Sequence, residues 1–261
     1  MKILRYISIL PVLALILAGC GEKQNMRLKE IEFSDLLPKE HKLRTDKTVV
    51  SLFVYMFEID KNKYPQVLDG LKEANDLSVK YYDWNNFAAN GLVSGGGDMN
   101  TWGILAKNLA DADALVAKRT SVLMDLNSSE EIEIAELTQP GSVSYCTADK
   151  AWAEIGLPKG SVVLEISTKS LIGLKQSCKL EIKPVYKTAD RKISGWEFAF
   201  DSIAVSAAVR PGQFVFLAPD TENVDVPEQT TGSVTGKMIF CSVNGRPVVR
   251  FCLIACGLIN Y

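Results

Sequence analysis

The 261-residue chain is 47% apolar, 23% charged and 8% aromatic, which supports a packed core and excludes disordered, collagen-like and multi-span membrane classes. Lysine and arginine number 29 against 31 acidic groups, and a net charge of −2 gives no basis for a nucleic-acid partner. The single histidine narrows acid–base and metal chemistry, because imidazole is the side chain that titrates unperturbed near neutral pH.

At the amino terminus, Lys2 and Arg5 flank the start of an apolar run from Ile7 to Leu17 that only Ser8 and Pro11 interrupt. This pattern predicts a signal peptide over residues 1–19, since the run has 11 residues and a spanning helix needs about 20. Leu17-Ala18-Gly19-Cys20 resembles the lipobox of bacterial lipoproteins, which implies cleavage before Cys20 and diacylation of its thiol. Each buried methylene contributes about 0.8 kcal/mol, so two or more acyl chains anchor a protein without any spanning segment. Gly21, where Asp would signal retention, resembles the lipoproteins that double-membrane bacteria sort to the outer membrane. The expected mature chain of 242 residues keeps 27 basic and 31 acidic groups.

Residues 20–46 mix charges with scattered apolar positions and Pro38, and read as a lipidated tether. His41, between Glu40 and Lys42, is a solvated residue of that tether. Residues 47–261 read as one α+β domain. Val49 to Phe57 is rich in β-branched and aromatic residues and too short for a buried helix, so a central strand is predicted. Pro65 opens a short helix whose Val67, Leu68, Leu71 and Ala74 share a face, weakened by Gly70. A strand over Leu77 to Tyr82 follows, then a loop over Asn90 to Gly97, then a helix capped by Asn100 with Trp102, Leu105, Leu109 and Ala112 on one side.

Beyond that helix the period becomes two. Thr120 to Leu126 and Glu131 to Leu137 flank Asn127-Ser128-Ser129 as a hairpin would. Further strands are predicted at Ser161–Ser167, Cys178–Tyr186, Trp196–Phe200, Ile203–Val209, Gln213–Leu217, Lys237–Cys241 and Val248–Ile259, with turns at Pro158-Lys159-Gly160, Pro211-Gly212 and Asn244-Gly245. Both faces of Val248–Ile259 are apolar except at Arg250, which predicts a strand covered on both sides. The fold class expected is therefore β-rich α+β, with mixed or antiparallel sheets and about two helices on one side.

Five cysteines remain besides Cys20, namely Cys146, Cys178, Cys241, Cys252 and Cys256; the odd count leaves at least one unpaired within the chain. They contain no CxxC, and one histidine does not complete a Cys/His zinc site, so no metal is expected. Most read as small buried hydrophobes. A two-residue turn at Asn244-Gly245 would set Cys241 opposite Val248 and Cys252 opposite Lys237, beyond disulfide reach of each other.

Motifs that carry chemistry are sparse. Gly95-Gly96-Gly97 lacks the GxGxxG pattern and any following Lys-Ser/Thr pair, and Gly232-Ser233-Val234-Thr235-Gly236-Lys237-Met238 is one residue short of a P-loop and runs into an apparent strand. No GxSxG is present. Glu130, Glu131, Glu133 and Glu136 would supply carboxylates for a hydrolase if they converged, but alternation with Ile132 and Ile134 predicts a solvated strand face. Trp84, Trp102, Trp152 and Trp196 are dispersed along the chain and offer no clustered sugar platform. No catalytic or cofactor-binding residue is assigned.

Ala106 to Leu126, a helix leading through Lys118-Arg119-Thr120-Ser121-Val122-Leu123-Met124-Asp125-Leu126 to Asn127, resembles a segment of the secretin core domain of secretion and type IV pilus systems. Leu180 to Tyr186, Val205 to Val209 and Arg210 to Leu217 resemble that family's run of three strands with a glycine turn, and Pro247 to Ile259 its apolar last strand. Ala218-Pro219 stands where secretins usually carry Gly-Gly. The resemblance implies a sheet-dominated fold and membership of an envelope assembly. Together with the lipobox, the expectation is a non-enzymatic lipoprotein of the outer membrane facing the periplasm, acting through contacts with envelope proteins or further copies of itself. A small-ligand or glycan-binding lipoprotein and a carboxylate-dependent hydrolase are the alternatives.

Overall fold

The computed structural model describes residues 48–260 apart from 74–75, 175, 190–195, 221–232 and 244–245. The signal peptide, Cys20, the tether, His41 and the Asn244-Gly245 turn lie outside the described residues. Two mostly apolar strands form the centre, β1 (Val49–Asp60) and β15 (Arg246–Asn260), antiparallel along the whole length of β1. Sheet 1 runs β3 (Leu92–Gly97), β12 (Phe214–Pro219), β15, β1, β4 (Leu115–Asp125), with β14 (Cys241–Val243) added to β15. Sheet 2 runs β2 (Val79–Tyr81), β11 (Val205–Val209), β9 (Cys178–Thr188), β8 (Gly160–Ser170), β5 (Ser129–Leu137), with β10 (Glu197–Ala199) beside β9. Sheet 3 is β13 (Ser233–Val234), β6 (Gly141–Cys146), β7 (Trp152–Leu157); β13 joins β6 in parallel, and all other pairings are antiparallel.

Side-chain alternation assigns the two faces of sheet 1 to two cores. Val50, Leu52, Val54 and Met56 of β1, with Cys252, Ile254 and Cys256 of β15, face sheet 2 and meet Leu164, Ile166, Leu180 and Ile182. Phe53, Tyr55 and Phe57, with Phe251, Leu253 and Ala255, face the other way, onto α1 (Tyr64–Glu73) and α3 (Met99–Asp111). Phe57 and Phe251 stack there at 4.9 Å, and Trp102 meets Phe57 at 6.5 Å. At about 1.5–3 kcal/mol for each fully buried large apolar side chain, these central strands dominate the burial energy. Gly257 is the extra residue of a bulge opposite Ser51 and Leu52, which returns Ile259 to the inter-sheet core although its parity differs from that of Cys256.

The fold is β-rich α+β with antiparallel sheets and two helices packed on one side, as the sequence predicts. β15 is covered on both faces, also as predicted. Sheet 2 keeps a solvated outer face on which Glu165 pairs with Lys183 at 3.1 Å, and Glu181 with Lys169 and Lys179, each at 2.6 Å.

Five local expectations are corrected. Gly95-Gly96-Gly97 is strand rather than loop, paired with β12. A side chain on Gly96 would collide with the Phe214 carbonyl and Leu77, while its own carbonyl accepts from the N–H groups of Asp76 and Leu77, both at 2.9 Å. The helix after it is capped by Asp98, in a capping box with Thr101, not by Asn100. Thr120–Leu126 and Glu131–Leu137 form no hairpin: β4 pairs β1 and β5 pairs β8, so the chain turns a corner from one sheet to the other because Met124 and Ile132 both enter the inter-sheet core. Lys237–Phe240 is helical, within α4 (Thr235–Phe240), and only then does β14 begin. A bulge sets Cys241 opposite Val249 instead of Val248, and Cys252 lies opposite Met56 and Leu217, not Lys237.

Three glycine substitutions separate packing from propensity. Gly96→Ala meets rigid backbone and is expected to cost about 1–3 kcal/mol. Gly70→Ala meets only the movable Asn108 side chain and costs less, whereas Gly103→Ala, in open space within α3, gains about 0.5–1 kcal/mol from helix propensity. Urea unfolding of the three variants measures the order. A second expectation concerns pH. Its two lysines hold the Glu181 carboxyl at about 2, below the ordinary 4.5, so the unfolded chain binds the proton first. The contribution is fully present above about 4.5 and is lost as pH falls towards 2. Glu181→Gln should flatten the stability profile in that window.

Candidate functional site

The acidic run is solvated, as the alternation predicts: Glu130, Glu131, Glu133 and Glu136 are exposed while Ile132 and Ile134 are buried. Glu131 accepts from Lys187 with both carboxylate oxygens at 2.6 Å. Glu133 and Glu136 line a cleft of about 570 Å³. Trp102 is buried against α3's own sheet, Trp84 is exposed, Trp152 lies on β7 and Trp196 packs edge-on to Tyr186, so the four tryptophans remain dispersed. Gly236 of the P-loop-like segment lies against the carbonyls of Asn90 and Gly91 and donates its N–H to Asn90 at 2.8 Å, a close backbone packing contact. The five described cysteines are free thiols.

The cleft arises from the corner between the sheets. β4 is the last strand of sheet 1 and β5 the last strand of sheet 2, so each has an edge with no strand beside it among the described residues. Each edge carries a bulge at the cleft, Ala117 between the pairs Met56–Lys118 and Phe57–Val116, and Ile134 between Glu133–Val163 and Ala135–Val162. Bulges bend and twist a strand, and two of them facing one gap keep the edges apart. Lys118 Nζ of β4 reaches over to the Glu133 carbonyl of β5 at 2.8 Å, and Arg250 pairs with Glu58 at 2.8 Å on the neighbouring strands. The floor is Met56, Met238, Ile239 and Cys241. Burial pushes the Cys241 thiol up, which keeps it protonated at neutral pH and makes it a poor nucleophile. The arrangement is suited to main-chain hydrogen bonding along strand edges, with charges fixing register.

A buried polar joint positions the helix that supplies the floor. Asn90 follows α2 (Trp84–Ala89), whose own cap is Asp83. Asn90 donates through Nδ2 to the Cys146 carbonyl at 2.9 Å, and Oδ1 accepts from the Cys146 N–H at 2.9 Å and from Thr235 Oγ1 at 3.1 Å. The one Thr235 hydroxyl proton is shared with the Ser144 carbonyl, also at 3.1 Å, and Ser202 donates to the Cys146 carbonyl at 2.7 Å. Sheet 3 and α4 are thereby tied to one asparagine. This joint and the elements α2, β6 and β7 have no counterpart among the elements the sequence pattern predicts; Asp83, a good cap residue ahead of Trp84, is the local signal for α2.

No protein-family model and no curated protein matches the chain. Among solved structures, a chain of the ETEC pilotin–secretin AspS–GspD complex aligns with 95% of this chain and 65% of its own length, at 9% identity and a TM-score of 0.25. The V. cholerae type IV competence pilus secretin PilQ aligns with 84% of this chain and 62% of its own length, at 9% identity and a TM-score of 0.24. The chain thus spans less than two thirds of either.

Asn90→Ala orphans the Cys146 amide in the interior and removes one of the two acceptors of the Thr235 hydroxyl, at about 1–3 kcal/mol for a buried group left unpaired. The expected loss is about 3 kcal/mol by urea unfolding. Asn90→Asp, which keeps the accepting oxygen, should lose less.

Proposed function

We propose that this chain is a lipid-anchored, non-enzymatic envelope protein that works by contact, receiving an extended segment of a partner along the open edge of β4 beside the cleft. The anchor rests on the lipobox at Leu17-Ala18-Gly19-Cys20. The observation that carries the contact reading is the pair of strand edges held apart by facing bulges, because unpaired backbone donors and acceptors are completed by water or by another strand. Leu123, 53% exposed on β4, and Lys118 offer that strand an apolar and a charged neighbour. In this reading the protein is one component of a secretin-like envelope assembly, facing the periplasm from the outer membrane.

A second reading has its own observation. Tyr82 (68% exposed) borders a shallow hollow of about 360 Å³ that includes Lys80 and Ser206, and Trp84 (53% exposed) packs edge-on to Tyr81 beside it, a surface on which a sugar ring would stack. A saturable shift in tryptophan fluorescence across a carbohydrate panel, abolished by Trp84→Ala, would favour glycan binding.

Photo-crosslinking in intact cells tests the first reading. A crosslinker at Ser121 or Leu123 should give discrete adducts that Ala117→Pro removes, and one at the exposed Ile172 should give none. Equal capture from all three positions, or turnover by the purified chain that depends on an identifiable side chain, would overturn it. Cys20→Ser should abolish fatty-acid labelling and recovery in membranes.

A further inference from the structure

Cys178 opens β9 in sheet 2 and Cys256 lies near the end of β15 in sheet 1; both side chains are buried in the core between the sheets. One tight turn holds both backbones. Val209 pairs with Cys178, and the chain then passes through Arg210-Pro211-Gly212 to the other sheet, with Gln213 N–H donating to the Arg210 carbonyl at 3.0 Å. On the far side, Gly212 N–H donates to the Cys256 carbonyl and Cys256 N–H to the Gln213 carbonyl, both at 2.8 Å. Gly212 has φ +84°, a conformation that glycine adopts without strain, so the turn itself keeps the two strands in register. The two thiols lie close enough in that core for each to shift the other's titration, Cys178 downwards and Cys256 upwards.

We infer that Cys178 and Cys256 are a disulfide site that cross-links the two sheets. Before the sheets close either thiolate can attack first, and the order with Cys178 first is one of two that give the same bond. The oxidant is a disulfide, either glutathione disulfide or a protein dithiol–disulfide carrier, met before the sheets close over the pair. The Cys178 thiolate attacks one sulfur of that disulfide and expels the first thiol. Cys256, losing its proton, then attacks the Cys178 sulfur and expels the second. The two cysteines lose two electrons, the donor gains them, and both protons end on the released thiols. Cys146, Cys241 and Cys252 stay reduced: Cys146 contacts Asn86 of α2, Cys241 floors the cleft, and burial pushes Cys252 up to about 12.

An oxidising compartment is needed, so the bond in the cell rests on the envelope reading, and two arms separate the questions. In the first, the full chain is purified reduced in detergent and exchanged with glutathione disulfide during refolding, then alkylated and mapped by mass spectrometry. A single Cys178–Cys256 link is expected, with the apparent Tm raised by roughly 5–15 °C over the reduced form. Cys178→Ala and Cys256→Ala should lose that gain, and Cys241→Ala should keep it. No link, a different link, or a link without thermal gain overturns the site. In the second arm, the chain is alkylated directly from cells and fractionated. The same link in the envelope fraction supports the inference, and free Cys178 and Cys256 thiols in an envelope-located chain overturn it. A cytosolic chain with free thiols, together with a positive first arm, sinks the envelope reading and leaves the pair established as a disulfide site.

Discussion

The structure depends on one constraint: the central strands of sheet 1, β1 and β15, are buried on both faces. β1 and β15 place an apolar side chain at nearly every position, so neither face can be left to water. One face is closed by sheet 2 and the other by α1 and α3, which gives three layers around two cores. The Glu58–Arg250 pair marks where this pairing nears solvent, since two adjacent charges on central strands are tolerated only when they neutralise each other. With their central strands fixed in this way, the sheets leave their outer strands to meet at the corners.

The corner between β4 and β5 is the one the proposed contact uses. The turn after β4 carries the chain from sheet 1 to sheet 2, so β4 and β5 are consecutive in sequence yet terminate different sheets. Their edges therefore face one gap, and the bulges at Ala117 and Ile134 keep them from joining. At the opposite corner the turn through Gly212 makes the reverse crossing, but there the strands are close enough for Cys178 and Cys256 to touch. One corner is thus open and lined by charge, the other closed and lined by thiols. The open corner suits contact and the closed one suits covalent reinforcement.

The floor of the open cleft is itself held from a distance. Asn90, 145 residues before Thr235 of α4, replaces a missing strand partner for Cys146 by presenting an amide to both its N–H and its carbonyl. The same amide oxygen receives Thr235 at the start of α4. A buried network of this kind is demanding, because each member left unpaired is costly, and it therefore defines one position for the helix. Gly236 permits the close backbone approach that lets Thr235 reach Asn90.

What the sequence determined by itself were properties written in local pattern. The alternating faces of β8 and β9, the apolar runs of β1 and β15, the helix around Leu105 and Leu109, and the signal and lipobox expectation all follow from residue type at fixed spacing. The two-helix, β-rich α+β class was legible for the same reason. Tertiary structure decided what depends on a distant neighbour. Gly95-Gly96-Gly97 reads as a loop until β12 passes so close that only glycine fits, and Met238-Ile239-Phe240 reads as a strand until Asn90 captures Thr235 and starts a helix. Asn127-Ser128-Ser129 has the composition of a hairpin turn, and only the competition of β1 and β8 for the flanking strands makes it a corner. Spacing also set Cys241 and Cys252 apart correctly, but the meeting of Cys178 with Cys256 requires two sheets to pack. Contacts between layers leave no period in the sequence, because the residues that make them are chosen by shape across 78 positions of chain rather than by their neighbours along it.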